Sequence, residues 1–512
     1  MKFIFITLFL VISSVGFAQK NTTAKKGEVI YHVFQRSFYD SDGNLQGDLN
    51  GLKQKLPYLQ DLGITSILLL PLYDADCYHN YFANDFEKID PSFGTMNEYI
   101  SLVKEIHKLG MKVYMDMETQ YVTEKHLWWK DAVGNLNSEY SDYILFDDSA
   151  HKTPATIIYD LRQLNNFNGT SIKITTVNLR SKKVLEYNKK LFSYFVDPNK
   201  DGKFDDGVDG FRLDHAMDHL DGKAALTNLF IEFWDPLMTH LKKQNPALKT
   251  VAEQADWKDY GFTYLKNAGV DRVFGFGLQQ AILSFDKQNL IKNADTILAQ
   301  CPKGKEQIIF IENHDLDRFA SIEPNKEKQK LAASLMLLIG GIPSIYYGQE
   351  IGMLGKNGNY GGTDGNDIPR RTAFKWNKSY EGNGMATWYR NVSAGWNNDN
   401  LKVNDAISLA AQINDSNSLF AYYKKMIQLK QSHLALAVGN YANVNNTNSK
   451  VFSFIRTYNQ QEVLVVVNLS NDQQTTVIEQ PITKAMSLYG KVILNKNTLL
   501  LKPYQVLVLK LK

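Results

Sequence analysis

Residues 95–118, TMNEYISLVKEIHKLGMKVYMDME, set a helical pattern directly before a short, almost continuously apolar run. Residues 95–110 read as a helix. The run KVYMDME (112–118) lacks the alternation of a strand with one wet face, so it reads as a strand of a parallel sheet covered on both sides. The same order recurs outward in both directions. Upstream lie VIYHVFQ (29–35), the helical LNGLKQKLPYLQDLG (49–63) and TSILLLPL (65–72). Downstream come the helical SKKVLEYNKKLFSYF (181–195), then DGFRLD (209–214), TVAEQA (250–255), RVFGFG (272–277), IIFIENHD (308–315), the helical NKEKQKLAASLMLLIG (325–340) and IPSIYYGQE (342–350). Eight buried strands with helices between most of them predict an α/β fold, a (β/α)8 TIM barrel over residues 27–432.

Two departures mark further organisation. The connection from the third strand to the helix near Arg180 is far longer than an ordinary loop, so residues 119–179 are expected to form a small inserted domain. After residue 432 the period changes to two in VFSFIRTY (451–458), EVLVVVNLS (462–470) and QVLVLKLK (505–512), predicting a C-terminal all-β sandwich domain over 433–512.

The chain begins MKFIFITLFLVISSVGFAQK, a lysine, an apolar run and a small-residue ending. That is the pattern of a signal peptide over residues 1–18, cut between Ala18 and Gln19, and it implies a secreted or periplasmic protein. No later run is long enough to span a membrane. A net charge of +3 over 512 residues gives no basis for a nucleic-acid or anionic-membrane partner. Cys77 and Cys301 are the two cysteines; export permits a disulfide between them and does not demand one.

In a barrel of this kind reactive groups gather where strands end. Strand four ends in Arg212 and Asp214, strand five in Glu253, strand seven in His314 and Asp315. Three carboxylates on one rim repel each other, which a fold tolerates mainly for function or metal binding. Paired carboxylates suit retaining glycoside hydrolysis, in which one attacks the anomeric carbon and the other protonates the leaving oxygen.

At these residues the chain resembles the α-amylase family of glycoside hydrolases. GVDGFRLDH (207–215), TVAEQADW (250–257) and FIENHDLDR (310–318) look like three of its short conserved regions. VFQRSFYDSDGNLQGDLNGLKQKLPYLQDLGITSILLLP (33–71), DFEKIDPSFGT (85–95) and GGIPSIYYGQEIGM (340–353) resemble its first strand and helix, second loop and eighth strand. Within the family the chain resembles neopullulanase/cyclomaltodextrinase-type and oligoglucosidase-type members. The resemblance implies Asp214 as nucleophile, Glu253 as general acid and then base, and Asp315 as a binder of the distorted sugar's hydroxyls. It further implies Arg212 orienting Asp214, His314 donating to the same ring, and Tyr81 stacking on the sugar.

Where the family usually has Asp, three mostly apolar or variable residues and then Asn-His, this chain has DMETQY (116–121). Gln120 stands at the position of an Asn that commonly helps bind a structural calcium, which argues against that site here. Tyr121 stands at the position of a sugar-contacting His and is expected to offer its hydroxyl to substrate. Met217 and Asp218 replace a Lys-His pair on the leaving-group side, and TTVNLR (175–180) replaces the acidic signature that sorts bond specificity.

Two loops suit Ca²⁺, which takes several hard oxygens. DSDGNLQGD offers Asp40, Asp42, Asn44, the Gln46 carbonyl and Asp48, and the corresponding loop of some family members binds calcium. DPNKDGKFD repeats the spacing with Asp197, Asn199, Asp201, the Lys203 carbonyl and Asp205, with Gly202 at the turn. Trp128, Trp129, Trp257 and Tyr360 are candidates for stacking on sugar faces. The expected activity is retaining hydrolysis of α-glucosidic bonds in starch, pullulan or maltooligosaccharides. The alternatives are transglycosylation or isomerisation with the same triad, and a non-catalytic glucan-binding scaffold.

Overall fold

The structure is a computed structural model that describes residues 27–359, 361–390 and 406–511. Tyr360 and the amino-terminal segment lie outside the described residues. Eight parallel strands close into a barrel: β1 (Ile30–Val33), β2 (Ser66–Leu69), β3 (Lys112–Met117), β4 (Gly210–Leu213), β5 (Lys249–Ala252), β6 (Arg272–Phe274), β7 (Glu306–Ile309) and β8 (Ile342–Tyr346), with β8 returning to β1. Six fall inside one of the apolar runs, while β5 begins one residue and β7 two residues ahead of theirs, because a strand buried by helices outside and side chains inside has no wet face to mark with polar residues. Ile30, Leu68, Tyr114, Val251, Phe274, Ile308 and Ile342, from seven different strands, form one buried cluster, so the barrel is packed and not a pore.

Helices α1 (Leu49–Leu62), α2 (Met96–Lys108), α3 (Lys182–Val196) and α4 (Lys326–Leu338) match the four helical patterns. Their ends are set by local chemistry. Thr95 and Glu98 form a reciprocal capping box on α2, Asp48 caps α1 by accepting from Gly51 N, and Gly63 at φ 96° closes α1 in a conformation that glycine adopts without strain.

The inserted segment does not build its sheet alone. A five-stranded sheet runs Tyr73–Ala75, Ala83–Ile89, Tyr121–Thr123, Ser171–Thr176 and Gln163–Asn165, so the loop after β2 supplies two strands and the insertion three. This fixes both long loops against each other over the carboxyl ends of the barrel strands. Beyond the barrel, Val451–Tyr458 and Gln461–Asn468 pair as a hairpin in a five-stranded antiparallel sheet, and a three-stranded sheet lies with it in the all-β C-terminal domain. Among the described residues no helix is long and apolar enough to cross a membrane. Cys77 and Cys301 are both free thiols, so the alternative of a disulfide is not realised.

Candidate active site

The site is organised around one guanidinium. Strand register places Asp116 of β3 and Val251 of β5 on either side of Arg212, so side chains following them converge on the same rim. Arg212 is 1% exposed and pairs with three carboxylates: Asp116 at 2.7 Å, Glu253 at 2.9 Å, and Asp214 on the same nitrogen as Asp116. Buried ions hold together only when geometry and hydrogen bonds compensate the loss of water, and a guanidinium with several rigid donors can serve several carboxylates at once.

The three carboxyls around it do not titrate alike. Burial pushes Asp214 up, but Arg212 and then His215 draw it down further, and it ends well below the usual carboxylate range. Burial dominates at Glu253: despite Arg212, and with Asp214 and Asp315 adding repulsion, its carboxyl is held well above that range. Burial likewise pushes Asp116 up to about 7 against the pull of Arg212. A low carboxylate beside a raised carboxylic acid is the arrangement that divides nucleophile from acid.

Asp315 is fixed by a second arginine. Arg371 Nη2 pairs with its Oδ1 at 3.0 Å, and Arg371 Nε donates to the His314 carbonyl at 3.0 Å. Burial and then Arg371 drive His314 well below 6.5, so its imidazole is neutral. Its Nε2 lies 2.8 Å from the Tyr81 hydroxyl, which itself donates to Asp116 at 2.7 Å. The hydroxyl proton being engaged, the His314 proton belongs on Nε2. The Tyr81 and His314 rings lie parallel within 10° at 5.6 Å, and both line a cleft of about 650 Å³ with Asp214, Glu253, Asp315 and Trp257.

The structure therefore brings Asp214, Glu253, Asp315, Arg212, His314 and Tyr81 together. Tyr121 also lines the cleft, but its hydroxyl donates to Asp221 at 2.9 and 2.8 Å instead of pointing free at a substrate. Trp257 stacks on Phe276 at 4.9 Å at the cleft wall, whereas Trp128 is 2% exposed and packs on His126, Tyr143 and Tyr187, away from any sugar. Arg371 and its partner Asp367 were not visible to sequence reasoning. They sit in DIPRR (367–371), at the end of a short 3-10 helix after β8, and the paired arginines were the one available signal.

Gln120 answers the question of the third-strand calcium. Its amide nitrogen donates to the Asp214 carbonyl and, at 3.2 Å, to the His215 carbonyl. Those oxygens face N–H groups, so the position does not fit a cation. Of the two acidic loops, the first brings carboxylate oxygens of Asp40, Asp42 and Asp48 within 4.8 Å of one another, a fit for a divalent ion. In the second, Asp197, Asp201 and Asp205 form no such cluster among the described residues. Asp197 accepts from Gly202 N at 3.0 Å, Asn199 from Asp201 N at 2.8 Å, and Asp201 from Lys203 N at 2.9 Å, with Lys203 Nζ 3.2 Å from Asp201. The second loop, expected to offer Asp197, Asn199, Asp201, Lys203 and Asp205 to a cation, is thus ordered by turns closed on its own backbone, as the first is where Asp40 accepts from Gly43 and Leu45 N.

The family model for the α-amylase catalytic domain matches residues 32–439, and that for the α-amylase SusG C-terminal domain matches 451–508. The chain belongs to the α-amylase family. It is 27% identical to "Alpha-amylase 3" of Dictyoglomus thermophilum, covering 95% of this chain and 93% of that protein. It is 26% identical to the "Oligo-1,6-glucosidase" of Halalkalibacterium halodurans over 94% of each chain. Among solved structures, an α-amylase from H. orenii superposes with a TM-score of 0.78 at 25% identity, covering 95% of this chain and 99% of that one. This α-amylase-family chain is thus an α-glucan-active glycosidase built on the family's barrel.

Proposed function

We propose that the protein is an exported, retaining glycoside hydrolase acting on α-glucosidic bonds of starch, pullulan or maltooligosaccharides. One observation carries the mechanism. Asp214 and Glu253 are held on the two terminal nitrogens of one guanidinium, Nη1 and Nη2 of Arg212. Inverting enzymes keep their carboxyls about 6.5–9.5 Å apart to admit a water, and retaining ones about 5–5.5 Å. Two carboxyls on the neighbouring nitrogens of one guanidinium support the closer spacing of the second class.

In this reading Asp214, ionised throughout the working range, attacks the anomeric carbon, and the bond to the leaving oxygen breaks as Glu253 gives that oxygen its proton. Water then cleaves the glycosyl ester with Glu253 as base. Asp315 and neutral His314 hold hydroxyls of the distorted ring, and Tyr81, its hydroxyl anchored by Asp116, offers its ring face. Incubation with maltoheptaose, pullulan and cyclodextrins tests the substrate class, with NMR following the anomer formed. Products retain the α-configuration, and Glu253→Gln lowers turnover by about 10²–10⁴-fold. Inverted products would remove Asp214 and Glu253 from their roles. Predominant transfer to sugar acceptors would favour the transglycosylase alternative.

The first acidic loop supports a structural Ca²⁺ held by Asp40, Asp42 and Asp48, with Asn44 and the Gln46 carbonyl completing its oxygens. The ion would cross-link the β1–α1 connection, where Asp48 already caps α1. Calcium at 100 times its Kd raises stability by about 2.7 kcal/mol over the chelated protein. Equal unfolding midpoints in calcium and in chelator would remove the ion.

A further inference from the structure

One carboxyl beside Asp214 has no part in the reaction above. Glu118 follows β3 directly, is 1% exposed and lines the same cleft. A carboxylate oxygen of Glu118, one of Asp214 and the His215 Nδ1 lie within 4.8 Å of one another. Nδ1 is 3.7 Å from Glu118 Oε2 and 3.7 Å from Asp214 Oδ2, too far for a hydrogen bond to either. Glu118 Oε1 accepts from Gln120 N at 3.3 Å, and its backbone carbonyl accepts from the Tyr73 hydroxyl at 2.8 Å. No lysine or arginine pairs with Glu118 among the described residues. Arg212 is taken up by Asp116, Asp214 and Glu253.

Two buried carboxylates this close cannot both be charged with so little compensation. The groups facing Glu118 are Asp214 and His215 from the end of β4, Asp116 from β3 itself, and Tyr73 and Tyr121 from the sheet above. Burial first, then Asp214, hold the Glu118 carboxyl well above its ordinary value, while Asp214 is held well below. The proton of the pair therefore sits on Glu118. A neutral carboxylic acid has one O–H to donate, and the neighbouring charged acceptor is Asp214.

We propose that Glu118 is a positioning residue for the nucleophile: its protonated carboxyl donates a hydrogen bond to Asp214, which is thereby fixed between Arg212 and Glu118. This rests on the reading of Asp214 as nucleophile. The proton stays on Glu118 through both steps. An Asp214 electron pair forms the bond to the anomeric carbon, and the leaving oxygen takes its proton from Glu253. When the ester is cleaved, Asp214 leaves as a carboxylate onto the waiting Glu118 and Arg212 donors. Ionisation of Glu118 at high pH replaces that donor with a second negative charge beside Asp214, and turnover falls.

The test uses an α-maltosyl fluoride, whose leaving group departs without a proton, so that Glu253 does not shape the alkaline limb of kcat/KM for the first step. Glu118→Gln keeps a donor and cannot ionise. It is expected to hold activity at neutral pH within about threefold and to lose the wild-type alkaline limb. Glu118→Val, with no donor, is expected to lower kcat by about 10–100-fold with little change in KM, the loss of one hydrogen bond to a charged group. An alkaline limb that persists unchanged in E118Q overturns the proposal, as does full activity in E118V. Infrared spectra give a reading independent of turnover: a carboxylic-acid C=O band of the wild type at pH 7 that is missing from E118Q supports it, and identical spectra overturn it. If the wild type turns over no α-glucoside, the hydrolase reading fails, and the infrared comparison still decides the proton on Glu118.

Discussion

The ends of β3 and β4 lie side by side in register, Asp116 beside Arg212 and Met117 beside Leu213, yet they differ in how the active site is written into them. The β4 end carries Arg212 and Asp214 in the pattern the family resemblance leads one to expect. The β3 end keeps Asp116 and then diverges, with Glu118, Gln120 and Tyr121 all turned toward β4: Glu118 to Asp214, Gln120 to the Asp214 and His215 carbonyls, Tyr121 to Asp221. The contrast teaches that the chemistry can remain in one strand while its support is rebuilt in the neighbour. The supports are hydrogen bonds and ion pairs, so each can be removed singly.

The largest effect is expected from Arg212→Leu, which deprives both strand ends of their shared cation. Removing one partner of a buried ion pair costs about 3–5 kcal/mol, because the remaining charges are left uncompensated. Denaturant midpoints measure this. The pH dependence follows from Asp214. Its folded pKa is depressed, so its contribution is present above the unfolded value of about 3.9 and is lost as pH falls through the folded one. The deficit of the variant is therefore greatest near neutrality and narrows in acid. In any activity that remains, the acid limb moves to higher pH as Asp214 loses its partner. A limb that stays in place would mean that Arg212 does not set the charge of Asp214.

This comparison also marks what could be read from sequence. The eight strands were legible because burial on both faces leaves continuous apolar runs, and the rim acids were legible because polar residues closing such runs have few other reasons to be there. Glu118 was hidden in the same run as Asp116, since nothing in KVYMDME distinguishes an acid facing Asp214 from one facing solvent. Asp367 lies in a short 3-10 helix, Asp364–Arg370, and Arg371 caps its end, too short a turn to show a period in the sequence. The sheet shared by two loops rests on the three-residue strands Tyr73–Ala75 and Tyr121–Thr123, too short to show an alternation. The two acidic loops show the same limit from the other side. Their spacing is nearly identical and both close turns on their own backbone N–H groups, but spacing does not fix whether the carboxylates also meet one another, as those of Asp40, Asp42 and Asp48 do.

Gln120→Leu is expected to have an intermediate effect. It keeps the bulk at the β3 end and removes the donor to the Asp214 and His215 carbonyls. Buried acceptors left without a partner cost about 1–3 kcal/mol. The midpoint of unfolding should fall by that amount, and turnover should fall with it, since the backbone carrying Asp214, the proposed nucleophile, loses its tether. An unchanged midpoint would mean that water takes over the donation, and the third-strand divergence would then be neutral.

The smallest effect, and the one that most sharpens the contrast, is expected from Tyr121→Phe. The sequence position leads to an expectation of substrate contact, whereas the structure engages the hydroxyl with Asp221 on the connection after β4. If that bond is its role, the variant loses about 0.5–1.5 kcal/mol of stability, and kcat/KM on a maltooligosaccharide changes by less than about threefold. A hydroxyl that leaves Asp221 to hold a sugar would show the reverse: stability nearly unchanged and kcat/KM down about tenfold or more, because a site group left unpaired against substrate costs more than an exchanged hydrogen bond. Steady-state kinetics beside a single unfolding curve separate the two. The outcome decides whether the β3 end supports the strand of Asp214 through all three of its divergent residues or gives one of them to the substrate.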